Sequence, residues 1–149
     1  MVEMQDQKTD VKTYNLYFKG FWIEGKTEGV QDDPGIFLVY SCKLDEKENR
    51  VGIREMLYIG KAANIKDGIN DKLLINDLRS SLLSEEKLCF AYAIAPFEEL
   101  SKIQTILAII QDTPYNLETD TSSFKDDKFI FHIEGTCPRM KYKDFIINK

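Results

Sequence analysis

Residues 57–70 read LYIGKAANIKDGIN, and the interpretation of the whole chain starts from this stretch. An apolar, strand-like run ends at a Gly60-Lys61 corner, and the helix-like segment that follows is interrupted by Asp67-Gly68. A lysine held against a glycine at the end of a strand is typical of a site for phosphate or another anion, because glycine allows close backbone approach. The Asp-Gly pair does not suit such a site. The stretch therefore indicates either a working nucleic-acid site or the remains of one.

The composition is that of one acidic domain. The chain has 149 residues, 43% of them hydrophobic, which is enough for a substantial core. Its net charge is −5, whereas proteins that grip nucleic acid are usually basic, because phosphate neutralisation supplies much of their affinity. No apolar run approaches the ~18–20 residues that cross a bilayer, and the polar start MVEMQDQKTD lacks the features of a signal peptide. We therefore expect a single domain over residues 1–149 that is cytoplasmic and has no membrane contact.

The cysteines and the histidine do not predict a metal centre. Cys42, Cys89 and Cys137 are an odd number with no CxxC spacing, and the first two lie in strand-like apolar runs. We expect reduced thiols in the core. His132 alternates within FIFHIEG, which is typical of the polar face of a strand. These four side chains are too few, and too irregularly spaced, for a zinc site.

Hydrophobic patterning predicts an α+β fold. Strands are expected at 13–22, 35–42, 50–60, 87–95 and 129–134, with a further short strand near the C-terminus. Apolar residues at helical spacing predict helices over 64–83 and over 96–111. The order β-β-β-α-β-α-β predicts a small, mostly antiparallel β-sheet flanked by helices.

Two tripeptides on neighbouring predicted strands carry a resemblance to a known family. Gly35-Ile36-Phe37 is the first, and Tyr58-Ile59-Gly60 is the second, which continues into Lys61-Ala62-x-Asn64. Pro114-Tyr115-Asn116 follows the second predicted helix. This pattern resembles the GIY-YIG nuclease superfamily, which is named after the two tripeptides. The resemblance covers about residues 33–116, with the strand regions 13–22 and 129–147 on either side, and it implies a GIY-YIG nuclease-like fold.

The resemblance implies a chemistry and a set of candidate residues. In the family, DNA phosphodiesters are hydrolysed with a divalent cation. A tyrosine helps to activate water, a glutamate holds magnesium or manganese, and an arginine and a lysine stabilise charge on the phosphate. Tyr58 and Lys61 match the family's tyrosine and lysine. Together with Asn64 and Asn116, they are the candidates for contact with nucleic acid.

Three positions depart from the family's pattern. Phe37 stands at the first tyrosine, Gly68 at the helical arginine and Gln104 at the metal-binding glutamate. An amide oxygen is a far weaker ligand for a hard cation than a carboxylate, and no acid lies between residues 101 and 111. Lys66 and Lys72 could supply charge near Gly68, but not the bidentate geometry of an arginine. We therefore expect no metal and no other cofactor.

Three functions remain open at this point. The first is a GIY-YIG-like domain, catalytically silent or impaired, that binds DNA weakly or binds another protein. The second is an active metal-dependent endonuclease that uses displaced residues together with magnesium or manganese. The third is an unrelated α+β module for protein interaction. In each case the loops at 23–34 and 117–128, or another protein, would have to supply any targeting.

Overall fold

Six strands form one β-sheet in the computed structural model, which describes residues 11–116 and 128–148. The strands predicted from the sequence are confirmed, and most extend by one to three residues. Their bounds are β1 Val11–Ile23, β2 Gly35–Asp45, β3 Arg50–Ala62, β4 Lys87–Ile94, β5 Lys128–Gly135 and β6 Asp144–Asn148. The predicted loop at 117–128 lies outside the described residues, apart from Lys128.

The sheet is mixed, and this corrects the expectation of a mostly antiparallel sheet. Its strand order is β3-β2-β4-β1-β5-β6. The fourth and fifth strands in this order, β1 and β5, run parallel, with Val11 opposite Lys128 and Phe18 opposite Gly135, while the other neighbours are antiparallel. Alternation of apolar residues indicates a strand but carries no sign of its partner's direction. The sequence therefore could not predict this pairing of distant segments.

The helices differ from the prediction at two places. The single helix expected over 64–83 is two helices, α1 Ile65–Ile69 and α2 Lys72–Arg79. The Asp71 side chain accepts hydrogen bonds from the amides of Leu73 and Leu74, so it caps a new helix in the middle of the apolar pattern. After Pro96, a 3-10 turn at Phe97–Glu99 leads into α3, Leu100–Gln111.

Helices cover both faces of the β3-β2-β4 half of the sheet. Alternate strand residues enter two separate apolar clusters. The cluster under α3 includes Ile36, Leu38, Ile59, Ala91, Ile103 and Leu107. The cluster under α1 and α2 includes Phe37, Val39, Leu57, Phe90, Ile65 and Ile69. The two motif strands therefore lie in the middle layer of this half.

The cysteines and the histidine lie where the sequence predicts. Cys42, Cys89 and Cys137 are buried free thiols. His132 is exposed on β5, and its Nδ1 atom lies 2.9 Å from a carboxylate oxygen of Asp144 on β6. In residues 11–116 and 128–148, no helix has both the length and the apolar character needed to cross a membrane.

Candidate functional site

The two motif tripeptides lie on paired strands. Antiparallel pairing of β2 with β3 sets Phe37 opposite Gly60 and Ile36 opposite Lys61. Two residues beyond Phe37, Val39 lies opposite Tyr58, and the register then shifts so that Leu57 has no partner of its own. This β-bulge directs Leu57 and Tyr58 into the same apolar cluster under α1 and α2.

Phe37 and Gly68, the positions at which the resemblance led us to expect a tyrosine and an arginine, lie against each other. A Cβ atom added to Gly68 would lie 2.7 Å from Cβ of Ala62 and 3.1 Å from Cε1 of Phe37. The same ring covers Gly60, where an added Cβ would lie 2.2 Å from its Cζ atom. Glycine at 68 therefore allows α1 to pack closely on the strands. This close approach accounts for the Asp-Gly in the opening stretch.

Tyr58 is half-buried beside Phe37, with the two ring centroids 6.1 Å apart and the rings tilted by 48°. Burial, with a smaller contribution from the negative charge of Asp71, raises the pKa of the Tyr58 hydroxyl. A tyrosine activates water by accepting a proton as phenolate. A raised pKa makes that form scarcer at neutral pH, so this environment does not favour Tyr58 as a general base.

Gln104 and Asn116 both bind the backbone of Ile59, the middle residue of the second tripeptide. Asn116 accepts from the Ile59 amide at 2.9 Å and donates to its carbonyl at 2.8 Å. Gln104 Nε2 donates to the same carbonyl at 3.0 Å. Because β3 is an edge strand, these amides pair groups that the sheet itself leaves unpaired.

The turn that contains Asn116 lies along the edge of β3. The amide of Tyr115 donates to the Leu57 carbonyl at 3.1 Å, at the bulge. The Thr113 hydroxyl donates to the side-chain oxygen of Asn116 and so orients it. The ring of Tyr115 packs against the cluster under α1 and α2. The Pro-x-Asn segment of the motif therefore closes this part of the sheet edge.

The structure does not bring Lys61 to the face that holds Tyr58. Lys61 is exposed, and its Nζ atom donates to Ser101 Oγ of α3 at 2.8 Å, whereas Tyr58 packs towards α1 and α2. Asn64 caps α1 by accepting from the Asp67 amide at 3.2 Å. Of the four candidates for nucleic-acid contact, Lys61 alone presents a charged group to solvent.

Arg54 could bind a phosphate only by breaking an ion pair. Its Nε and an Nη atom donate to the two carboxylate oxygens of Glu86, at 2.7 and 2.9 Å. This contact raises the pKa of Arg54 and lowers the pKa of Glu86. The guanidinium is therefore committed to a bidentate partner at the β3 edge.

A second group of polar residues, which the sequence did not suggest, lies where β1 meets the start of α3. Tyr14 Oη donates to Glu99 Oε1 at 2.5 Å, and Lys12 Nζ lies 3.3 Å from Oε2. These contacts, that of Tyr14 first, lower the pKa of Glu99. The group lines a cavity of about 480 Å³ together with Ile94, Pro96 and Ile103. Alternation places Lys12 and Tyr14 on one face, but only the fold brings Glu99 to them.

Within residues 11–116 and 128–148, no three histidine, cysteine, aspartate or glutamate side chains are grouped so that they could hold a metal ion. Comparison with protein-family models, curated proteins and solved structures finds no match to this chain. The functional proposal therefore rests on the geometry of the residues described above.

Proposed function

We propose that this chain is a GIY-YIG nuclease-like domain whose catalytic positions have become packing and hydrogen-bonding positions, so that it binds a partner without cleaving DNA. The antiparallel pairing of the two tripeptides supports the family origin. The observation that carries the proposal is the hydrogen bond from the Gln104 amide to the Ile59 carbonyl. Through this hydrogen bond, Gln104, at the position where the resemblance implies a metal-binding glutamate, has a structural role.

Position 104 suits an amide and not a carboxylate. The Ile59 carbonyl is an acceptor, so its partner must donate, and an ionised glutamate has no donor. A glutamate here would set two acceptors against each other at the edge of the sheet. The change to glutamine therefore removes the hard-cation ligand and stabilises the strand that carries Tyr58.

The other two altered positions are coupled to each other. An arginine at 68 would need room that Ala62 and the Phe37 ring now occupy. Phe37, only 2% exposed, supplies apolar surface where the family's tyrosine supplies a hydroxyl. Because the phenylalanine and the glycine fit together, reverting one of them alone does not rebuild the site.

The partner that this geometry favours is a protein. Both polar side-chain atoms of Asn116 are bonded to Ile59, the side-chain oxygen of Asn64 caps α1, and the Tyr58 ring is half-buried. That leaves the exposed Lys61 as a phosphate contact on a chain with a net charge of −5. Affinity for nucleic acid depends on several phosphate neutralisations, so one lysine supports only weak binding.

Metal titration with a DNA cleavage assay tests the proposal. We expect no stoichiometric heat with magnesium or manganese, and no cleavage of plasmid or branched DNA by the wild type. Gln104→Ala should behave in the same way, and Glu98→Gln, in the 3-10 turn before α3, serves as a control that removes an exposed carboxylate. Tight one-to-one metal binding that is lost in Gln104→Ala would overturn the proposal.

One observation favours a second candidate, an active endonuclease with a displaced site. Lys12, Tyr14 and Glu99 are the residue types that the family uses, and they converge beside an open cavity. The lowered pKa of Glu99 keeps it ionised, as a metal ligand requires. This candidate predicts manganese-dependent cleavage that Glu99→Gln abolishes and Glu98→Gln leaves intact. Absence of cleavage by the wild type with either metal excludes it.

A further inference from the structure

The last strand of the sheet, β6, has no neighbouring strand on its outer side among residues 11–116 and 128–148. The Ile133 amide donates to the Lys143 carbonyl at 2.9 Å, in the same register as the β5–β6 ladder. In an antiparallel pair, alternate residues point their amides and carbonyls towards the partner strand. Phe145 and Ile147 therefore bond to β5, whereas Asp144, Ile146 and Asn148 direct their backbone groups away from the sheet. Within the described residues, no hydrogen bond reaches these outward groups.

At the opposite edge of the sheet, on β3, several features block the addition of another strand. On β3, the Ile59 backbone is paired by Gln104 and Asn116, and the Ile53 carbonyl accepts from Arg139 at 2.7 Å. The β2–β3 register also shifts twice, and such bulges discourage further pairing. The β5–β6 register has no shift, and residues 144–148 contain no proline or lysine. The two edges are therefore built differently.

The side chains of β6 are suited to contact on both faces. Ile146 is 58% exposed and lies on the solvent face of the sheet. Phe145 and Ile147 pack at the margin of the core under α3 and are partly buried. An added strand would cover apolar surface on the outer face and extend the core on the inner face.

We propose that β6 is a self-association edge, at which a second copy of this chain pairs antiparallel to the first about a two-fold axis at Ile146. In this register the outward backbone groups of each Ile146 bond to those of the other. Phe145 lies across from Ile147 of the second copy, so apolar residues meet on the core side. Asp144 lies across from Asn148 of the second copy, so the negative charges of the two Asp144 residues are not opposite each other.

A second copy fits this edge because the strand is complementary to itself. Within residues 144–148 the two-fold register pairs apolar with apolar residues and sets no like charges opposite each other, which is what an isologous interface requires. His132 lies against Asp144 on the same chain and provides that carboxylate with a local partner. The contact is one short strand, so it belongs to the class of small, weak interfaces.

The oligomeric state over a concentration series tests the proposal. We expect sedimentation velocity from about 5 to 500 µM to show the full chain passing from monomer towards dimer. Ile146→Pro removes an outward amide and leaves the β5 ladder intact, and Ile146→Lys adds a charge to the edge; each should weaken association at least about tenfold. Ile146→Val keeps the amide and the branched side chain, so it should stay within about threefold of the wild type.

Circular dichroism on each variant separates blocked pairing from misfolding, and Ile146→Lys keeps the test valid if the proline variant unfolds. A wild type that remains monomeric throughout the series overturns the proposal. Dimerisation that persists unchanged in a folded Ile146→Lys variant also overturns it, because another surface must then associate.

The register is tested by cross-linking. Opposed residues in a hydrogen-bonded antiparallel pair have Cα atoms ~5.5 Å apart, which suits a disulfide. Ile146→Cys should therefore form a covalent dimer under copper–phenanthroline oxidation. Asp144→Cys, displaced from the axis, should cross-link much more slowly. Equal rates for the two variants would contradict a two-fold axis at Ile146.

Discussion

At the scale of single residues, Gly68 shows how a local irregularity is explained by a contact that is distant in sequence. Within the helical pattern it looks like a break, because glycine weakens a helix interior by about 1 kcal/mol. In the structure the break is small, since α1 continues through it from Ile65 to Ile69. The hydrogen atom in place of a Cβ allows the helix to approach Ala62 and Phe37.

Substitution of Gly68 should therefore destabilise the protein despite the gain in helix propensity. We expect Gly68→Ala to lower the free energy of unfolding by about 1–3 kcal/mol, since the added methyl group overpacks a contact of 2.7 Å with Ala62. Adding Ala62→Gly should recover part of this loss in a double-mutant cycle. Urea unfolding measures both values. Gly52→Ala is the control, because its nearest atom would be 3.9 Å away; equal costs at both glycines would contradict the packing explanation.

Gln104 allows a test of the donor requirement at the Ile59 carbonyl. We expect Gln104→Glu to lower the free energy of unfolding by about 1–3 kcal/mol at neutral pH, because an ionised carboxylate replaces the donor. The loss should shrink as the pH falls towards about 4, the ordinary pKa of a glutamate, because the facing carbonyl favours the protonated acid, which can donate again. Gln104→Met removes the donor without adding charge, so its cost should not change with pH. A Gln104→Glu variant as stable as the wild type at pH 7 would show that the bond contributes nothing.

At the scale of elements, the β3 edge depends on a turn that carries no regular secondary structure. Asn116 satisfies both backbone groups of Ile59, as a neighbouring strand would. We expect Asn116→Ala to cost about 1–3 kcal/mol and to speed hydrogen exchange at the Ile59 amide, because that group loses its partner. Asn76→Ala, at an exposed position of α2, should change neither quantity. Unchanged exchange at Ile59 would mean that the amide is protected by other groups.

The junction of β1 with α3 should make stability depend on pH. Glu99 has a lowered pKa in the folded state, so its contribution is present above the ordinary value of 4.5 and is lost as the pH falls through the folded value. Tyr14→Phe removes the strongest cause and should flatten this part of the curve of unfolding midpoint against pH. The pKa of Glu86 is also lowered, so Glu86 contributes to stability over the same pH range. Its contribution should remain in the Tyr14→Phe variant. Identical curves for wild type and Tyr14→Phe would contradict the assignment.

At the scale of the whole molecule, three buried thiols report on global opening. Cys42, Cys89 and Cys137 are each 2% exposed or less, and burial raises the pKa of Cys137. Thiolate is the reactive form, so we expect native protein to react with a thiol reagent far more slowly than unfolded protein. The labelling rate against urea should follow the unfolding transition seen by circular dichroism. Rapid labelling in native buffer would show that the sheet opens locally near a cysteine.

The fold and the candidate site were predictable from the sequence to different extents. The strands at 35–42 and 50–60 were predicted because their apolar patterns are strong and local. The break at Asp71 was missed, since an aspartate inside an apolar helical pattern caps a helix only when the backbone turns there. The group of Lys12, Tyr14 and Glu99 was missed because Glu99 is 87 residues from Lys12 and 85 residues from Tyr14.

The sequence by itself determined the elements, the reduced cysteines and the residue types at the motif positions, because periodicity and residue chemistry are local properties. Tertiary structure alone decided the parallel β1–β5 pair, the opposite faces of Tyr58 and Lys61, and the roles of Gln104 and Asn116 at Ile59. These features depend on which segments meet, and a strand's alternation does not specify its partner. Residues 57–70 illustrate both kinds of information. Their residue types predict an anion site at Gly60-Lys61, and only the tertiary structure shows that Phe37 packs on Gly68 and fills the space beside it.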